Sequence, residues 1–287
     1  MGAVYEREIK SYFRGPMGYI VIAFVLLFAG IYTMVVHLYS MLANFEYVLS
    51  NMSFLYLLAV PVLTMRLIAE ERRQKTDQLL YSLPLSMGKI VLGKYLAAVT
   101  VLAIPLGIVG LYPLILSLYG EIYLPMAYGS LLAFFLLGAA LIAVGMLVSA
   151  LTENQIVAAV GGFLLILLNY FLGDLSAYIP STSIASFLAF TALIALVAML
   201  LQWMTGNGVL SVGFAVLVEG ALFVLLLVKG EALAGSFPAL LQKIALFDRF
   251  YNFIYGMFDW TTVVFYGSVG VFFLFLTVQS LEKRRWS

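Results

Sequence analysis

Apolar and polar positions alternate along this chain in long blocks. Eight apolar runs, at about 16–36, 52–68, 91–118, 127–150, 155–172, 183–203, 208–228 and 261–281, are separated by short polar stretches. Most approach the roughly 20 residues needed to cross a bilayer as a helix. The pattern predicts an all-α polytopic membrane protein with about eight transmembrane helices. If the pair 183–228, whose joint Met204-Thr205-Gly206-Asn207 carries no charge, dips in and returns, the count becomes six plus a re-entrant hairpin. The first run lacks a small-residue cleavage site and reads as an uncleaved span. Pro105 and Pro113 remove backbone donors in the third run and predict kinks there. Gly161 and Gly162 would let another helix approach the fifth.

The polar stretches add three further elements. In residues 1–15, Val4, Tyr5, Ile9, Tyr12 and Phe13 fall at near-helical spacing among charged neighbours, which predicts an interfacial helix; a basic tail without structure is the plainer alternative. In 229–260, Leu240, Ile244, Phe247, Tyr251 and Ile254 repeat at helical spacing opposite Lys243, Asp248 and Asn252. Eight aromatics between Phe237 and Trp260 suit an outer amphipathic helix at the membrane surface. The third element is Arg66–Lys94, the longest charged interval, with six of the fifteen Lys and Arg. Glu71/Lys75 and Arg73/Asp77 are i,i+4 opposite-charge pairs that support a surface helix. Leu79, Leu80 and Leu83 give that helix an apolar edge, and Pro84 ends it. A solvated loop would have the same charge content.

Composition agrees with this reading: 64% of residues are hydrophobic, 10% are charged, and mean hydropathy is +1.09. No stretch outside the spans is long enough to bury its own core, so 1–287 reads as a single transmembrane domain. A net charge of +1 gives no pull toward nucleic acid. The absence of cysteine excludes disulfides and thiolate chemistry. The lone His37, at a span end, is an interfacial residue rather than a metal ligand. Twelve of fifteen Lys and Arg lie at the N-terminus, in the central segment or at the C-terminus. An even number of crossings puts all three clusters, and both termini, on the cytoplasmic side of a bacterial-type plasma membrane.

Charge inside the membrane is scarce. Glu219 is the one acidic residue near the middle of a run, where it costs on the order of 2.5–3.5 kcal/mol and should face protein or water, or be protonated. It is a candidate substrate or proton site, or else a buried carboxyl bonded to a neighbouring helix. Asn169 is a cheaper case of the same kind. An ion-coupled secondary transporter using Glu219 is the alternative function. That class wants several intramembrane ionisable groups and broken helices at midplane, and only Glu219 fits. An intramembrane enzyme is weaker still. H-E-x-x-H is absent, Gly173-Asp174 lacks the glycine of a G-x-G-D site, and Gly267-Ser268-Val269-Gly270 is not a serine elbow.

The pattern AEERRQKTDQLLYSLPLSMGKIVLGK resembles the segment between the second and third spans of type-2 ABC transporter permeases, the gliding-motility-type subgroup above all. Glu70–Arg73, Thr76, Leu79-Leu80, Pro84 and Gly93-Lys94 carry the resemblance, and REIKSYFRGPMGYI and SLEKRRW look like the family's two ends. Many members have Gly where this chain has Lys75, and many have six spans. The resemblance implies a permease that dimerises with a second copy or a related permease. It implies binding to cytoplasmic ABC ATPase subunits through a coupling helix, with Glu70, Glu71, Arg72, Arg73, Lys75, Thr76, Asp77, Leu79, Leu80 and Leu83 at that contact. No G-x-x-x-x-G-K-[ST] loop is present, so ATP and Mg belong to the partner and this chain is not itself expected to be an enzyme. The aromatic outer segment would suit a lipid-like cargo, though membrane anchoring explains it more simply.

Overall fold

The computed structural model describes residues 1–76 and 85–286. Among these the protein is helical, with no strand. Each of the eight apolar runs is mostly helix. Six helical segments are long and apolar enough to cross a membrane: Met17–His37, Glu46–Arg73, Met87–Leu116, Leu124–Leu151, Gly208–Leu233 and Trp260–Lys283. The fifth expected span is a bent pair, Gln155–Tyr170 and Leu172–Tyr178, turned by 52° at the break. Counting that pair as one span gives seven, against the eight expected; the remaining run, Ser183–Met199, is a shorter apolar helix over its described residues. This is a multi-pass membrane protein. A bent element falls at 155–178, where Phe171 interrupts the helix; the sequence pattern did not predict a break there.

The chain divides into two compact units, Met1–Leu168 with Leu246–Ser287, and Asn169–Ala245. In the first unit, α1 is Gly2–Arg14, α2 Met17–Thr33, α3 Glu46–Met52, α4 Tyr56–Thr64 and α5 Ala69–Arg73. It continues with α6 at Met87–Val109, α7 at Tyr112–Leu116, α8 at Leu124–Leu151 and α9 at Gln155–Tyr170, whose last two residues belong to the second unit. Helix α8 is the hub, packed against α3, α4, α6, α14 (Leu246–Ile254) and α15 (Trp260–Trp286). Its small residues make this possible. A Cβ on Gly138 would lie 2.6 Å from Leu102 and 2.8 Å from the Tyr56 ring, and one on Gly145 would strike Thr64. Neighbouring polar side chains use hydrogen bonds that water would otherwise make: the Tyr56 hydroxyl donates to Phe134 O (2.8 Å), Ser130 to Phe253 O (3.1 Å) and Tyr266 to Leu246 O (2.9 Å).

The N-terminal stretch is helix α1 rather than a loose tail. Val4, Glu8 and Tyr12 form its buried stripe, so one buried position carries a carboxylate where apolar spacing alone would not put one. The second span begins near Glu46, inside what the sequence suggested was a polar connection, because Val48, Leu49 and Met52 are buried there. Pro105 lies within a continuous α6, while Pro113 sits in the first turn of the separate α7, where its missing N–H costs nothing. The outer amphipathic helix expected within 229–260 is two helices. Ala245, fully buried with extended backbone, separates α13 (Ser236–Ile244) from α14.

In the second unit, α10 (Leu172–Tyr178), α11 (Ser183–Thr205), α12 (Gly208–Leu233) and α13 pack together. Helices α11 and α12 form a hairpin turned at Gly206, whose φ of +65° suits glycine. Asn207 then caps α12 by accepting from Val209 N (3.1 Å) and Leu210 N (3.4 Å).

Candidate functional site

The charged segment enters the structure as the last turn of the second span. Thr64 ends α4, and the chain turns through Met65–Ile68 into the short α5. The free N–H groups of Ile68 and Ala69 both donate to the Ser149 hydroxyl of α8 (3.2 and 3.1 Å), which in turn donates to Met65 O (3.3 Å). A single buried serine thus satisfies the start of α5 and fixes it to the hub. Helix α5 ends in a Schellman turn: Thr76 N donates to Glu71 O (2.9 Å) and Lys75 N to Arg72 O (3.0 Å). Lys75 takes φ +57°, the left-handed conformation that glycine adopts most readily. The departure from the family pattern therefore falls at the one position in this turn where glycine has a conformational advantage.

Glu71 and Lys75 do not form the expected i,i+4 pair. The helix stops at Arg73, so the spacing no longer places them on one face, and Glu71 turns inward instead. There it joins a closed ring of four charges. Lys94 Nζ lies 2.9 Å from Glu71 Oε2 and 2.9 Å from Glu8 Oε1, and Arg7 Nη2 reaches Glu8 Oε1 (2.8 Å) and Glu71 Oε1 (2.5 Å). Lys94 is only 2% exposed. Its third donor goes to Leu67 O at 2.8 Å, so all three N–H groups of the ammonium are used. That saturation is what makes a buried charge tolerable. Burial pushes the Glu8 carboxyl up, but Lys94 and Arg7 outweigh it and hold it below the usual carboxylate range.

The ring ties three elements together: α1 through Arg7 and Glu8, α5 through Glu71, and the start of the third span through Lys94. Gly93 allows the approach, since a Cβ there would lie 3.2 Å from Val4 and 3.3 Å from Met1 O. Gly93-Lys94 thus has two jobs, close packing and charge. Around the ring, Arg66 grips Glu70 with two hydrogen bonds (2.5 and 3.0 Å), and Gln74 also reaches Glu70 (3.2 Å).

Of the residues expected at a partner contact, Arg72 is buried, Glu70, Glu71 and Thr76 are half-buried, and Arg73 and Lys75 are exposed. Asp77, Leu79, Leu80, Leu83 and the stop at Pro84 lie outside the described residues. Arg7 and Glu8 are members of the site that the sequence reading missed; a carboxylate on the apolar stripe of α1 was the available signal. In the second unit, Glu219 Oε1 accepts from the Thr191 hydroxyl of α11 at 2.7 Å. Asn169 donates to Ile244 O at 3.4 Å, an interhelical bond. The lining of the groove that holds Glu219 does not include Asn169.

No known protein family matches this chain, and neither does a curated protein or a solved structure.

Proposed function

We propose that this chain is the permease subunit of an ATP-binding cassette transporter of the type-2 class, an exporter driven by separate cytoplasmic ATPase subunits. One observation carries the reading beyond sequence resemblance. The charged segment is clamped by Glu71 to both the N-terminal helix and the mouth of the third span, so a push on its outer face reaches the membrane helices directly. A solvated loop would need no such clamp. The permease works as a dimer, with a second copy or a related chain, embedded in lipid with both termini on the ATPase side. It binds no nucleic acid. Nucleotide and Mg stay on the partner.

Arg73 at the end of α5 is exposed, as are Gln74 and Lys75 in the turn that follows, and these are the described residues placed to meet an ATPase. The test is affinity purification from the native cell in mild detergent, with the unmodified chain and with Arg73→Glu plus Lys75→Glu. A soluble ATPase that co-purifies with the first and is lost from the second supports both the permease and its contact. Retention in the variant moves the contact elsewhere. If no ATPase accompanies the unmodified chain under conditions that preserve known complexes, an ion-coupled carrier using Glu219 replaces the permease.

A further inference from the structure

The α11–α12 hairpin has a groove on each side. One, about 470 Å³, is lined by apolar residues alone, including Phe190, Val197, Phe214 and Leu222. The other, about 550 Å³, has similar walls, among them Phe187, Ile194, Val216 and Phe223, but also holds Thr191 and Glu219. The Phe187 and Phe223 rings meet edge to face across this second groove, 6.2 Å apart. Glu219 lies near the middle of a helix long and apolar enough to cross the membrane. Its only hydrogen-bond partner among the described residues is the Thr191 hydroxyl, and that hydroxyl is also 3.0 Å from Phe187 O. A hydroxyl has a single proton to give. One carboxylate oxygen is therefore left facing an apolar groove, and no cationic side chain lines it.

An ionised carboxylate at this depth needs a counter-charge. The groove accepts apolar surface along its length and one positive charge at one point, and its aromatic rings add cation–π attraction beside the carboxylate. We propose that the Glu219 groove binds a lipophilic monocation drawn from the bilayer, an amphiphile with a single ammonium- or phosphonium-type charge. A dication would leave one charge unpaired in apolar surroundings, and an anion would be repelled. The site rests on the hairpin alone and stands whether or not the chain works with an ATPase.

The experiment uses the full chain in nanodiscs of phosphatidylcholine, with radiolabelled tetraphenylphosphonium as the probe. Binding should saturate at one site per chain, above the partitioning into empty nanodiscs. Glu219→Gln should weaken it on the order of tenfold or more, as expected when one partner of a desolvated charge pair is removed. Phe187→Ala should weaken it about threefold through the lost ring. Dodecyltrimethylammonium should compete, while dodecanol, with the same chain and no charge, should not. That charge selectivity is read on the unmodified protein and decides the matter even if a variant fails to fold. Absence of saturable binding, equal binding by Glu219→Gln, or equal competition by dodecanol would overturn the proposal. So would efficient disulfide cross-linking of Glu219→Cys between copies in native membranes, since the groove would then be a helix–helix interface.

Discussion

Lys94 is the residue on which the charged joint depends. Replacing it with methionine keeps most of the apolar stem but leaves the Glu8 and Glu71 carboxylates with only the half-exposed Arg7 as a shared cation. Breaking a buried ion network in this way typically costs about 3–5 kcal/mol. Lys94→Met should lower the thermal unfolding midpoint in detergent markedly, and adding Glu8→Gln and Glu71→Gln should restore much of the loss. Unchanged stability in the single variant would mean that the ring bears no weight. Lys75 offers the opposite test. Because it sits at φ +57°, Lys75→Gly should raise stability by about 0.5–1 kcal/mol, the relief of left-handed strain less the added chain entropy of glycine. A loss of stability would show that the lysine side chain holds the turn in some other way. The sequence singled out Glu71 and Lys94, but not the pairing that joins them into a ring. Glu71 pairs with Arg7, 64 positions away, and Lys94 with Glu8, 86 away, while the nearer Lys75 offered a local partner that the end of the helix removes.

At the scale of elements, the apolar runs were legible because span length and composition are dictated by the bilayer rather than by tertiary detail. The breaks were harder to see. The apolar repeat at 240–254 runs through Ala245 without interruption, yet the backbone turns out of helix there. The fifth span breaks at Phe171 with no proline to announce it. Side-chain volume governs the packing of the hub. Gly138 and Gly145 are seven residues apart on one face of α8, facing Tyr56 and Thr64 of α4. Gly145→Ala should cost about 1–3 kcal/mol by overpacking against Thr64. Thr64→Ala removes the hydroxyl oxygen and methyl that crowd it, so the double variant should lose less than the sum of the two single changes. Strictly additive losses, measured by denaturant or thermal unfolding, would refute that contact.

For the whole molecule the parity of the crossings fixes the side on which each basic cluster lies. The chain has no cysteine, so any introduced cysteine is a clean reporter. With eight crossings, Lys75→Cys and Lys283→Cys react with a membrane-impermeant thiol reagent from the same side, and Lys243→Cys from the other. Seven crossings would move Lys283→Cys to the side opposite Lys75→Cys. The measurement needs only intact cells and permeabilised ones. Six crossings, with neither the bent α9–α10 pair nor the shorter α11 completing a passage, would repeat the eight-crossing pattern, so these three sites separate an odd count from an even one.

The ring of Arg7, Glu8, Glu71 and Lys94 contains two positive and two negative groups, and so has no net charge. Moving one elementary charge through a full membrane potential involves about 2.3 kcal/mol per 100 mV. A joint that moves as a neutral body does almost no such work. Rearrangement of the ring's own pairs should therefore proceed at the same rate in energised and de-energised membranes. The voltage across the bilayer would neither drive it nor hold it back.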